Sequence, residues 1–337
     1  MHMADALIST PVAITAGVAA AALLGVAGYK VNREKGVNSR IVPLMGVLGA
    51  FVFAAQMINF SIPGTGSSGH IIGGVLLAAF LGPWAAFLTI ASVLIIQCLV
   101  FADGGLLALG CNIINMGAMT TLVAYPLIFR PMTRLSQSSG RLIAASIIAC
   151  LVGIELGACM VTLETEISGV TALPTNSFLA LMTGIHLAIG LGEGLATGAI
   201  LAFVVKSRPD LLATSVEAAA ATGTTTTHRN MKGVLIGFGI AALVLGGVLA
   251  FFASEYPDGL EWSIERLTGS TELVSTHADN VATTLEHVQR ATSVMPDYDS
   301  SFSGIIGAVM VVILVWSITA LLTSGRRHKP IKADIGQ

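Results

Sequence analysis

Apolar residues run along this chain in long blocks separated by short polar joints. The blocks lie near 11–29, 41–59, 70–81, 83–101, 105–129, 141–163, 176–205, 233–253 and 304–323. Most match the roughly 20 apolar residues that a helix needs to cross a ~30 Å hydrocarbon core. The pattern predicts an all-α, polytopic helical membrane protein, with a seven-span bundle followed by a two-span unit carrying an outer loop. The 70–81 block is too short to cross untilted. It follows "IPGTGSSGH" and runs into "LGP". It reads as a short or broken helix lining a cavity, because irregular backbone at membrane depth must face protein or water.

Composition supports the membrane reading. Charged residues make up 11% of the chain and mean hydropathy is +0.83, against about 25% charged in soluble domains. Charge then orients the spans. With the N-terminus outside, the inner joints carry Lys30, Arg33, Lys35, Arg40, Arg130, Arg134, Arg141, Lys206, Arg208, Arg229, Lys232, Arg326, Arg327, Lys329 and Lys332. Only Arg266 and Arg290 fall outside. The positive-inside rule then expects a multi-pass protein of the cytoplasmic membrane, N-terminus out and C-terminus in. The outer side is acidic, notably in 255–299. No basic patch is interleaved with aromatics, so nucleic-acid binding has no support. No basic residue precedes the first block, so the opening lacks the charged region of a signal peptide. Cys98, Cys111, Cys150 and Cys159 sit in or beside apolar blocks and read as small buried residues.

The organisation follows from these blocks. Residues 1–206 form the seven-span unit. Residues 207–232 are an Ala- and Thr-rich cytoplasmic linker, with a short helix expected in "LLATSVEAAAA". Residues 233–325 form the two-span unit with outer loop 254–303, and 326–337 a basic tail. Within the loop, "TELVSTHADNVATTLEHVQRAT" reads as an amphipathic helix with Leu273, Val274, Val281, Leu285 and Val288 on its apolar side. No internal repeat is evident, which argues against an inverted-repeat transporter.

Candidate chemistry begins at "MHMADALIST". The Met1 amine, the His2 amide nitrogen and the His2 ring can close small chelate rings on one ion. In-plane nitrogen donors favour Ni(II) or Cu(II). This requires Met1 to be retained and unblocked, and a bulky second residue disfavours its removal. The competing reading of His2 is a polar residue at a membrane entrance. His70, opening the short span, offers a second imidazole and a fourth nitrogen. A histidine at a membrane cavity is a functional candidate by default; the alternative is a hydrogen-bonded histidine at a helix start. Asn112 and Asn115 share a helix face and, with Met116, read as helix–helix contacts or support for ligands rather than ligands. His186 and Glu193 share a face of an apolar span, with Glu155 a further polar group. They could guide a cation, orient the mouth of a site, or pair structurally. Enzyme signals are absent. There is no GxxxxGK[ST], hence no ATP site of that type, and no HExxH. Asp103 stands alone at a span edge. His228, His277, His287 and His328 fall in the linker, loop and tail.

"MHMADALIS", "GTGSSGH", "LALGCNIINMG" and "HLAIGLGEGLATG" together resemble the CbiM/NikM substrate-capture family of energy-coupling factor transporters for cobalt and nickel. The resemblance covers residues 1–206. "EYPDGLEWSIE" is similar to the PDGLE segment of CbiN/NikN, the two-span companion subunit. The resemblance implies a fusion of the two that is not itself an enzyme. It would capture Ni2+ by preference, or Co2+, as transported substrate on a near-planar set: the Met1 amine, the His2 amide and ring, and His70. It also implies partners: cytoplasmic ATPase subunits and a transmembrane CbiQ/NikQ-like coupling subunit. One departure stands out. The family often starts Met-His-Ile with an acid–glycine pair soon after. Here the start is Met-His-Met-Ala-Asp-Ala, which leaves open the turn that tucks the terminus inward. Two rival functions remain. One is a membrane enzyme using His186 and Glu193 as acid and base. The other is a scaffold whose 255–299 loop binds another protein and moves no metal.

Overall fold

The computed structural model describes residues 1–33, 41–134, 136–216, 230–271, 273, 279–298 and 302–324. Lys35, Arg40, His228, Arg229, Val274, His277 and the 326–337 tail lie outside the described residues. Among the described residues, six helices are long and apolar enough to cross a membrane. They are α1 (Thr10–Arg33), α4 (Pro83–Phe101), α5 (Leu109–Arg134), α6 (Ser139–Ser168), α7 (Thr175–Ser207) and α11 (Ser303–Ser324). Two shorter apolar helices join them, α2 (Ile41–Gln56) and α8 (Lys232–Gly247).

Three expected spans differ. The 41–59 block stops being helical at Gln56, where a hairpin takes over: β1 (Phe60–Ile62) pairs antiparallel with β2 (Ser67–Gly69). The fold is therefore helical with one small sheet. The 233–253 block ends as α8, followed by a single 3₁₀ turn over Leu249–Phe252. The 70–81 block yields α3 (Gly74–Leu81), eight residues long, or about 12 Å of helix. His70 therefore does not open a helix; it sits in extended chain between β2 and α3. The cause is local. Gly73 has φ +80°, and the buried Glu193 carboxylate takes the N–H groups of Ile72 (2.6 Å) and Gly73 (2.9 Å). Those bonds hold 70–73 off the helical path.

Small residues set the helix spacing, as they must where lipid supplies no hydrophobic drive between helices. Gly190, Gly194 and Gly198 of α7 lie against the backbone of Leu151, Ile147 and Ile143 of α6; a Cβ on Gly194 would sit 2.5 Å from the Ile147 Cα. Gly246 of α8 meets Gly304 of α11 in the same way. Large apolar side chains such as Phe203, Phe252, Trp316 and Leu321 stay exposed, as a lipid-facing surface requires.

The loop between α8 and α11 holds two helices, α9 (Gly259–Thr268) and α10 (Asn280–Thr292). A capping box starts α9: Asp258 accepts from the Glu261 N–H, and Glu261 accepts from the Asp258 N–H. The expected amphipathic helix of this loop is shorter than its sequence pattern, because Asp279 caps it at Asn280. Leu273 stays outside it. In the linker, a 3₁₀ turn over Pro209–Leu211 precedes helical residues 213–216, and 217–221 of "LLATSVEAAAA" lie outside the described residues.

Candidate metal centre

The amino-terminal segment is drawn into the bundle. Met1 is 4% exposed and Met3 0%. Asn112 grips Met3 from both sides: Oδ1 accepts from Met3 N (2.8 Å) and Nδ2 donates to Met3 O (3.2 Å). Gly105 N also donates to Met3 O, at 2.9 Å. Gly104 and Gly105 make the room, since a Cβ on Gly105 would fall 1.8 Å from Asp5 Oδ1. Asp5 accepts from Ala108 N at 3.0 Å and starts a 3₁₀ turn over Asp5–Leu7. Ala6 lies in this turn and is not among the described positive-φ residues. No glycine is needed after the acid, which answers the departure noted in the sequence.

This seat brings His2 and His70 together, with ring centroids 5.4 Å apart and planes 21° from parallel. The His70 Nδ1–H donates to Ile71 O (3.1 Å), which leaves the Nε2 lone pair as the donor to a metal. The His2 tautomer follows from a buried chain. Ile72 O can only accept, so Gln56 presents Nε2 to it (2.7 Å). Gln56 Oε1 then accepts from Gln97 Nε2 (2.7 Å), and Gln97 Oε1 faces His2 Nε2 (3.2 Å). His2 must therefore carry its proton on Nε2. Its Nδ1 lone pair lies 3.2 Å from the Asp103 carboxylate. A lone pair facing a carboxylate calls for a cation between or beside them.

Electrostatics favour the same outcome. Burial lowers the His2 pKa against the pull of Asp103, and burial together with the Met1 ammonium lowers that of His70 to about 4. Both imidazoles stand neutral and able to donate at pH 7. The Met1 ammonium forms an ion pair with Asp258. Burial alone would raise the Asp258 pKa, but the ammonium, His70 and hydrogen bonds draw it well below the usual carboxylate range. Among the described residues no three His, Cys, Asp or Glu side chains converge on one point. The nitrogen donors gathered here are the chain-end amine, His2 and His70.

The other sequence candidates divide. Glu193 holds the His70 loop, as above. His186 is buried; its Nδ1 bonds to Met182 O (2.7 Å), and its ring lies against Gly259. His186 and Glu193 thus serve different neighbours and form no acid–base pair. Asn115 donates to Met3 Sδ (3.6 Å) and Glu164 (2.7 Å). Met116 is buried in the apolar core. Glu155 is half-buried. Sequence reasoning missed Gln56, Gln97 and the partners of Asp103 and Asp258. The available signal was an uncharged polar residue inside each of two otherwise apolar spans.

The site lines a cavity of about 950 Å3. Asp5, Asp103, Asp258, Glu261 and Glu286 line it, and among the described residues no Lys or Arg does. The loop between α8 and α11 covers it. Ser68 N donates to Pro257 O (2.8 Å), Trp262 Nε1 to Thr65 O (3.0 Å), and Gln289 Nε2 to Gly104 O (2.7 Å). Tyr298 donates to Asp103 (2.7 Å) and stacks on Phe101 with centroids 4.6 Å apart.

Known proteins are similar to this chain over most of its length. A relative in Archaeoglobus fulgidus, named as a fused nickel transport protein NikMN, is 32% identical over 95% of this chain and 98% of its own length. One in Lactiplantibacillus plantarum, named as a fused nickel transport protein LarMN, is 29% identical over 98% of each. A crystal structure described as a transition metal transporter is 32% identical, with a TM-score of 0.54, over 66% of this chain and all but 1% of the other. Residues 232–324 match the PDGLE domain. Residues 2–211 match the CbiM model, the cobalt uptake substrate-specific transmembrane region, and the chain belongs to that family.

Proposed function

We propose that this chain captures a divalent transition-metal ion, Ni2+ by preference and Co2+ as a second substrate, and passes it inward. The observation that carries this reading is the convergence of the buried Met1 amine, His2 and His70. The amine and His2 amide nitrogens close a five-membered ring on an ion, and the amide and Nδ1 a six-membered one. His70 Nε2 supplies the fourth nitrogen. Such a set suits Ni2+ far better than an oxygen-seeking ion such as Mg2+.

The N-terminus faces outward in this reading, with the acidic cavity at the outer surface. Lys30, Arg33, Arg130, Arg134, Arg141, Lys206 and Lys232 lie at helix ends away from it, as the positive-inside rule expects. Energy comes from cytoplasmic ATPase subunits through a transmembrane coupling subunit, since the chain carries no nucleotide motif. The loop at 254–303 acts as a lid. Its Asp258 holds the ammonium in place before metal arrives and balances the cation afterwards.

Titration of the purified chain with Ni2+ and Co2+, its Met1 free, tests this. Tight binding of one ion, abolished by His70→Ala and spared by His287→Ala, is expected. No binding at micromolar metal would sink the transport reading and leave the scaffold role.

A further inference from the structure

The turn between α4 and α5 touches the amino-terminal segment at several points. Gly105 N donates to Met3 O (2.9 Å) and Ala108 N to Asp5 Oδ1 (3.0 Å). Asp103 Oδ1 lies 3.2 Å from His2 Nδ1. A Cβ on Gly104 would fall 3.2 Å from the His2 Cβ. What holds this turn therefore also holds the chain end.

The backbone of the turn needs outside support. Ala102 has φ 55°, a left-handed conformation that is costly for a residue with a Cβ and persists where its surroundings enforce it. Helix α4 also ends here, so the carbonyls of its last turn have no partner within the helix. The support comes from α10 and the chain just after it. Gln289 Nε2 donates to Cys98 O (3.1 Å) and Gly104 O (2.7 Å), and its Oε1 accepts from Leu106 N (3.3 Å). Met295 N donates to Val100 O (3.1 Å), and Tyr298 donates to Asp103.

Gln289 makes the central tie. Its amide reaches the end of α4 and both sides of the turn. A side-chain amide offers donors and an acceptor in one plane, which Lys, Arg or an ionised Glu cannot do. Helix α10 aims it there: Ala282, Leu285 and Gln289 are half-buried, three and four positions apart, while the rest of α10 is exposed. The His70 side is held separately, by Ser68 on Pro257 and Trp262 on Thr65.

We infer that Gln289 is a positioning residue for metal capture: it fixes the 102–106 turn, and through Gly104 and Gly105 it keeps the Met1 amine and His2 seated beside His70. The inference rests on the capture reading and adds to it the contact that sets how long bound metal is retained.

The test uses the full chain in detergent with Met1 free. Ni2+ release into excess EDTA is timed by absorbance, and amide hydrogen exchange is followed over residues 1–8 and 98–108 without metal. Gln289→Leu should release Ni2+ about tenfold faster and lose protection in both segments. Gln289→Glu, which keeps size and acceptor but loses the NH2 group, should do the same. Trp262→Phe removes only the bond to Thr65, so it should keep native protection over 1–8. Native release rates in both Gln289 variants overturn the inference. So does a loss of protection confined to α10, or an equal loss over 1–8 in Trp262→Phe, since either would mean that Gln289 only helps to dock the loop. If the native chain binds no Ni2+, the capture reading falls and exchange decides alone: unchanged protection over 1–8 in Gln289→Leu overturns the seating role, and its loss supports it.

Discussion

At the scale of single residues, the site depends on atoms that no side-chain motif contains. The Met1 ammonium stands beside Asp258, and the His2 amide lies between it and the ring. One extra residue before Met1 would move the amine off this position and strand Asp258 without its partner. Ni2+ affinity should fall at least 100-fold in calorimetry while circular dichroism stays unchanged. Gln97 is a second test. Gln97→Leu removes the acceptor for His2 Nε2 and orphans Gln56 Oε1. Removing a group that orients a ligand costs about 10–100-fold in metal affinity, and the absorbance of Ni2+ bound at the proposed four-nitrogen site should shift as His2 turns. His2 and His70 were legible in the sequence because both are histidines beside apolar spans. Gln56 and Gln97 were not, because a glutamine within a span reveals a partner only when two helices and a loop carbonyl are in place.

Elements show where pattern reading worked and where it stopped. Pro83–Phe101 matches its apolar block residue for residue, because Gly82 and Pro83 punctuate it locally. The 70–81 block was readable as short, but not where its helix would begin. That start is set by Glu193, more than a hundred residues away, through the Ile72 and Gly73 amides. Glu193→Gln leaves one acceptor oxygen where two served, and turns an amide NH2 toward an N–H. An unsatisfied buried donor costs about 1–3 kcal/mol. The variant should unfold several degrees lower in detergent and bind Ni2+ more weakly, because His70 rides on the released segment. Gly105→Ala probes the other side of the site. Its Cβ would overlap Asp5 Oδ1, so the terminus should lift and become open to aminopeptidase while the helices stay folded.

For the whole molecule, the loop between α8 and α11 joins stability to pH. PDGLE was recognisable as a motif, but nothing in its spacing placed Asp258 on the chain end. The groups gathered under this loop meet water in the unfolded chain and a buried, charged site in the folded one. His70 is the clearest case. Its pKa falls from 6.5 to about 4, chiefly through burial and the Met1 ammonium. The unfolded chain therefore binds more protons than the folded one between these values. Stability from the neutral imidazole is complete above pH 6.5 and is lost as pH falls toward 4. Asp258, held below its ordinary value of 3.8, protects the fold above that value and adds its own loss below it. The His70 contribution to thermal unfolding of the metal-free protein in detergent should thus be flat from pH 8 to 7 and then fall, opposed by Asp5 and Glu261, whose carboxyl pKa values burial raises. The drop from pH 6.5 to 4 should be on the order of 1–3 kcal/mol from this histidine. His70→Gln, which cannot ionise, should flatten that limb and leave the one below pH 4. An unchanged limb in that variant would mean that the acid sensitivity arises elsewhere in the bundle.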